Sequence, residues 1–269
     1  MKRITSALVL TLLFVFLLFN VGANAASFAI SGTDISVEVD DAVWYVFTRD
    51  NIKDNPELEE LGLTYEYMNG VFNDNKAYMD AVLFYDDGNF MELLIRKTES
   101  TDGTVNLSNY SDDEVLDLAK TYAEKVGAKD YSVYKTQQKF AKVDYYDANY
   151  KYYMSEYITV VNKDIYVVTF QSTVEYDEEM NEEIAEILES VRFDVDTSLK
   201  EKSTAKDSFF DIVMGKSVRG GIIGALVGAV VAFITKKIKK PKKAASEPVA
   251  EAPEQEPEAV EEPKDETNE

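Results

Sequence analysis

The chain has 269 residues, 50 acidic and 28 basic, for a formal net charge of -22, and it contains neither cysteine nor histidine. Disulfides, thiol chemistry, Cys- or His-ligated zinc, Ser-His-Asp and Cys-His catalysis and a cysteine-linked lipid anchor are therefore excluded. The acidity also argues against nucleic acid as a partner, since a phosphate backbone is held by clustered Lys and Arg.

The chain opens with Lys2 and Arg3, an apolar run over 7–19, and small residues that end in Ala23-Asn24-Ala25. The apolar run is short for a bilayer span, which takes about 20 residues. The three-part pattern predicts a secretory signal peptide over 1–25, cleaved after Ala25.

Residues 26–196 then read as one extracytoplasmic domain. Ile35, Val37 and Val39 alternate with polar residues and predict a strand, and 42–47, holding the sole tryptophan Trp44, predicts a second. Asn55-Pro56-Glu57 opens a helix, with Asn at the cap, Pro in the first turn and an acid near the positive dipole end. Helical or irregular chain is expected to continue to about residue 78. Asp86-Asp87-Gly88-Asn89 is a hairpin signal between strands over 81–85 and 90–97.

Ser111-Asp112-Asp113-Glu114 is a capping box. The helix behind it places Val115, Leu118, Ala119, Tyr122 and Val126 on one face, and Gly127 closes it. Strands are expected over 131–140, 143–150, 152–161 and 165–172, with Asn162-Lys163-Asp164 as the last turn. A final helix over 177–191 turns Met180, Ile184, Ile187, Leu188 and Val191 to one side. Hairpins between helices predict an α+β fold, an antiparallel sheet flanked by helices.

After a linker over 197–216, a transmembrane helix is expected over 217–235. Its uncharged part, 220–235, covers about 24 Å at 1.5 Å per residue, and Arg219 and Lys236 extend it by snorkelling. Lys236, Lys237, Lys239, Lys240, Lys242 and Lys243 follow and mark a cytoplasmic anchor. Leader and lysines agree on a single-pass cell-membrane protein, N-terminal domain outside and tail inside. Gly220, Gly224 and Gly228 share one helix face, a small-residue stripe suited to helix–helix packing and hence to homo-oligomers. The tail to 269 is rich in Ala, Glu and Pro, lacks aromatics, and is expected to be disordered. The net charge thus resolves into +2 over 1–26, -23 over 27–212, +8 over 213–243 and -9 over 244–269.

A resemblance enters at the end of the extracytoplasmic domain, where the hairpin "YITVVNKDIYVVTFQS" precedes an acidic helix closing on "EILESVRF". These residues, together with the early segment around Trp44, resemble the PsbP/Mog-like α/β/α sandwich superfamily over residues 28–194, as a secreted bacterial, membrane-anchored member. The resemblance implies a binding or assembly domain and carries no catalytic residue across.

The chemistry that remains is that of carboxylates and Ser-Lys pairs. Asp86-Asp87, Asp112-Asp113 and Glu178-Glu179 each sit where a turn, a cap or a helix start calls for acids. A calcium loop begun at Asp50 fails at Ile52. No cofactor, metal site or catalytic residue is expected. The most unusual local feature is Tyr145, Tyr146, Tyr150, Tyr152, Tyr153 and Tyr157, which serve either as strand and core residues or as a recognition surface. Under unbroken alternation, Tyr146, Tyr150 and Tyr152 share one face and Tyr145, Tyr153 and Tyr157 the other. The expected function is non-enzymatic binding of a protein partner outside the membrane. Two alternatives stand beside it: a scaffold that recruits a cytosolic partner through its acidic tail, and a hydrolase with two carboxylates.

Overall fold

The structure, a computed structural model, describes residues 25–100 and 104–199. The predicted leader up to residue 24, the transmembrane helix expected over 217–235 with Gly220, Gly224 and Gly228, the lysine run and the acidic tail lie outside the described residues. Among the described residues no helix is long and apolar enough to cross a membrane.

The elements in chain order are β1 (Ala26–Ala29), β2 (Ile35–Val39), β3 (Tyr45–Thr48), α1 (Pro56–Glu60), α2 (Tyr65–Asn75), β4 (Ala77–Phe84) and β5 (Phe90–Glu99). They continue with a single 3-10 turn (Leu107–Asn109), α3 (Asp112–Val126), β6 (Asp130–Lys135), β7 (Lys139–Asp147), β8 (Tyr152–Val161), β9 (Asp164–Ser172), α4 (Glu178–Ser190) and β10 (Arg192–Phe193). A seven-stranded sheet has the order β3-β4-β5-β9-β8-β7-β6, and a small sheet has the order β1-β2-β10. Every strand pair is antiparallel.

The two faces of the large sheet are covered differently. Met91, Leu93 and Ile95 of β5 and Val168 and Phe170 of β9 pack with Met180, Ile184, Ile187 and Leu188 of α4 and with Val37 and Val39 of β2. On the opposite face Phe90 and Leu94 pack with Leu58 of α1 and Met68 and Phe72 of α2. Farther along that face Val143, Ile158 and Val160 pack with Val115, Leu118, Ala119 and Tyr122 of α3. Helix, sheet and helix-plus-small-sheet layers give a mixed α/β fold built on antiparallel sheets.

Local chemistry sets the element ends. Asn55 caps α1 by accepting from the Glu57 N–H, and Asp177 caps α4 by accepting from the Met180 N–H. Ser111 and Glu114 form the reciprocal capping box of α3, and Gly127 ends that helix at φ 77°. Ser111→Ala removes an acceptor for the Glu114 N–H, so a loss of about 1 kcal/mol is expected, read as a lower urea midpoint. Asn162 and Lys163, at φ 54° and 72°, form a two-residue hairpin turn.

Several expected boundaries are corrected. The strand over 42–47 begins only at Tyr45, because Asp40 gathers the preceding N–H groups: its carboxylate accepts from Ala42 and its carbonyl from Val43 and Trp44. The strand over 131–140 is two strands, β6 and β7, reversed at Thr136–Gln138, where the Thr136 N–H donates to the Gln138 carbonyl. The strand over 143–150 ends at Asp147 for a related reason: Asp147 Oδ1 accepts from the N–H groups of Asn149 and Tyr150 and turns the chain. The helical or irregular stretch stops before Ala77, where β4 starts. Strands β1 and β10 were not expected.

Candidate functional site

The large sheet has two ends, defined by which turns gather there. The chain leaves the domain beside the β1–β2 and β8–β9 turns. There the Asp194 N–H donates to the Asp34 carbonyl at 2.8 Å, and Asn162 Nδ2 donates to Asp34 Oδ2 and to the Asp194 carbonyl. The ten residues of β8 run from this end to the other, about 30 Å at roughly 3.3 Å per residue. The far end gathers the β4–β5 and β7–β8 turns and the start of α4. Thr173 Oγ1 lies 3.0 Å from Asn89 Oδ1, and the Tyr176 hydroxyl donates to the carbonyls of Tyr153 and Phe170.

The predicted tyrosines divide around this far end. A turn over 148–151, with Lys151 at φ 65°, breaks the alternation, so the expected face assignment is corrected. Tyr146 lies directly opposite Tyr153 across β7 and β8, on the face that also carries Tyr157. Tyr145 and Tyr152 lie on the opposite face. Tyr157 is core, at 3% exposure, edge-on to Tyr134, Phe140 and Phe170. Tyr152 packs edge-on against Phe90, and Tyr145 against the α3 cluster. Tyr146 and Tyr150 remain 50% and 44% exposed, and the rings of Tyr146 and Tyr153 meet at 5.0 Å. The set is therefore split: Tyr157 is core, whereas Tyr146 and Tyr150 are exposed.

The same end of the sheet also carries acids. Asp86, Asp87, Glu175, Asp177, Glu178 and Glu179 are exposed at the same end. Burial, followed by Glu183, Asp177, Glu179 and Asp87, pushes the Tyr85 phenol well up.

A second constellation is buried in the sheet, between the α1–α2 and α3 clusters. Asp80, Glu92, Arg96, Glu156, Thr169 and Gln171 are all buried there. Arg96 Nη2 meets Glu156 Oε1 at 2.8 Å and Thr169 Oγ1 at 3.1 Å. The Tyr122 hydroxyl donates to Glu156 Oε2. Gln171 Nε2 donates to Glu92, which also hydrogen-bonds Asp80. Asp80 Oδ1, Gln171 Oε1 and Arg96 Nε have no hydrogen-bond partner. The sequence does carry a signal for this strip: Glu92 and Arg96 share one parity within the otherwise apolar run 90–96. Among the described residues no group of three or more acids is arranged to hold a metal ion.

No family model matches the chain, and no curated protein matches it in sequence. Among solved structures, the chain is similar to the solution structure of cyanobacterial PsbP (CyanoP) from Synechocystis sp. PCC 6803. The identity is 11%, the match covers 65% of this chain and 95% of that one, and the TM-score is 0.29. Likeness at that level says nothing about activity.

Proposed function

We propose that the chain is a single-pass membrane protein whose extracytoplasmic domain, a PsbP-like α/β/α sandwich, binds a protein partner without catalysing a reaction. The carrying observation is the exposure of Tyr146 and Tyr150, with Tyr153 beside Tyr146, at the end of β8 opposite the chain exit. An anchor that follows the exit would hold this end away from the bilayer and within reach of a partner. Tyrosine offers an apolar ring with a polar tip and loses little side-chain entropy on binding, which suits it to interfaces. The carboxylates at the same end favour a partner with a basic face. The leader over 1–25, the span over 217–235 and the lysines after it support the topology, and the Gly220, Gly224 and Gly228 stripe supports lateral homo-oligomers in the lipid bilayer. The net charge of -22 supports a partner other than nucleic acid. The Asp80–Glu92 pair, being buried, supports binding over a two-carboxylate hydrolase.

In-cell crosslinking of the full chain followed by mass spectrometry tests this reading. A Tyr146→Ser/Tyr150→Ser variant is expected to lose its extracytoplasmic adducts while its membrane fraction is unchanged. An unchanged adduct set defeats the tyrosine surface. Adducts that vanish only when 244–269 are deleted favour the cytosolic scaffold instead.

A further inference from the structure

The strip on the helix-covered face of the sheet holds more acid than base. Asp80, Glu92 and Glu156 are buried there, and among the described residues the only buried basic side chain is Arg96, which is committed to Glu156. Two adjacent buried carboxylates without a cation repel each other and lose their hydration, so the fully ionised pair is heavily penalised. Asp80 of β4 and Glu92 of β5 are diagonal neighbours, since Asp80 is registered with Leu94 and Glu92 with Val82. We propose that Asp80 and Glu92 hold one proton between them in the folded domain, so that the fold is a proton-binding device whose stability responds to the surrounding pH, which on the topology proposed above is the pH outside the cell.

Hydrogen bonding assigns the proton. Glu92 accepts from Gln171 Nε2 and so behaves as the ionised acceptor. Asp80 has no such donor, and its Oδ1 is unpartnered. An unpartnered oxygen is far less costly on a neutral acid than on a carboxylate. Asp80 is therefore the protonated member, donating to Glu92. Burial comes first in raising both acids above their ordinary range, and for Asp80 the Glu92 charge comes next.

Apart from the Gln171 hydrogen bond to Glu92, the groups facing the pair do not relieve it. From α2 comes the Tyr67 phenol, raised by burial and then by Asp80 and Glu92. From β8 comes Tyr152, raised by burial and then by Glu92. β9 contributes the neutral Gln171. In the row of Glu92, β3 contributes Tyr45, whose phenol is pushed up to about 12 by burial and by Glu60 and Glu57 of α1. Arg96, with Glu156 and Tyr122, lies beyond Leu94 on the same face.

The sign follows directly. Both folded-state values lie above those of the unfolded chain, so the folded state binds more protons once pH exceeds the ordinary carboxylate range. This contribution is complete in acid and is lost as pH rises through the folded-state values. Within that window each pH unit weakens folding by up to about tenfold per proton.

The test uses the full chain in lipid nanodiscs, with urea unfolding followed by Trp44 emission from about pH 5 to about pH 8. The wild-type midpoint is expected to fall across this range. Asp80→Asn, which keeps a donor toward Glu92, is expected to flatten the dependence and to be the more stable protein at the alkaline end. An infrared carbonyl band of a protonated carboxyl near neutral pH is expected in the wild type and absent from Asp80→Asn; this readout does not depend on the variant's stability. A variant with the wild-type slope, or a wild type without the band, overturns the proposal. So does a rise in midpoint on adding calcium, magnesium or manganese with no band present, which would mean that the pair holds a metal ion rather than a proton.

Discussion

Arg96→Met is expected to destabilise the folded domain by about 3–5 kcal/mol. The guanidinium and the Glu156 carboxylate meet at 2.8 Å with side-chain exposures of 7% and 0%. Removing the cation leaves a charge that water does not reach and that the hydroxyls of Tyr122 and Thr169 satisfy only in part. The methionine stem replaces most of the lost volume, so the cost is mainly electrostatic rather than that of a cavity. The double variant Arg96→Met/Glu156→Gln removes both charges, and it is expected to regain a substantial share of the loss. A double-mutant cycle on urea midpoints of the full chain, read by Trp44 emission, checks this. A double variant no more stable than the single one would show that the pair contributes through packing instead of charge.

That pair also marks where sequence reading gave out. The caps at Asn55 and Ser111 were readable because each is a local bargain between a side chain and backbone groups two or three residues away, and the αL stop at Gly127 because glycine adopts positive φ without strain. The Asn162–Lys163 turn was readable because asparagine tolerates the left-handed backbone that such a turn needs. The Thr136–Gln138 reversal was not: it contains neither Gly nor Pro. It is held from afar, with Gln138 Nε2 donating to Asn106 Oδ1 and Thr159 Oγ1. The tyrosines show the same split. Their type and density were visible, but the turn after Asp147 changed which of them share a face, and partners in β8 and α3 decided which were buried. The polar strip draws Asp80 and Glu92, Arg96 and Glu156, and Gln171 from four strands, and strand order is what brings them together. Glu92 and Arg96 could have been noted as charges sharing one parity in an apolar run, but not their partners.

The largest single-residue effect outside the strip is expected at Trp44. It is fully buried in a turn that was read as strand, and its indole Nε1–H donates to Glu183 Oε1 at 2.9 Å. That bond spans 139 positions and fastens the beginning of the domain to α4 near its end. Around the ring lie the β2 and α4 side chains that cover one face of the large sheet. Trp44→Ala deletes the ring and the donor together, with an expected loss of about 3–5 kcal/mol. Trp44→Phe keeps most of the ring and loses the donor, so about 1–3 kcal/mol is expected. Both are read by far-UV circular dichroism during urea unfolding, because the variants lack the only tryptophan. In the wild type, if Trp44 joins α4 and the small sheet to the large sheet as one cooperative unit, its emission and the dichroism change at the same urea concentration. Emission that shifts well before the dichroism would instead mean that the outer layer detaches first. The contact between Trp44 and Glu183 would then fasten that layer alone, and the loss in Trp44→Ala would be confined to the early transition.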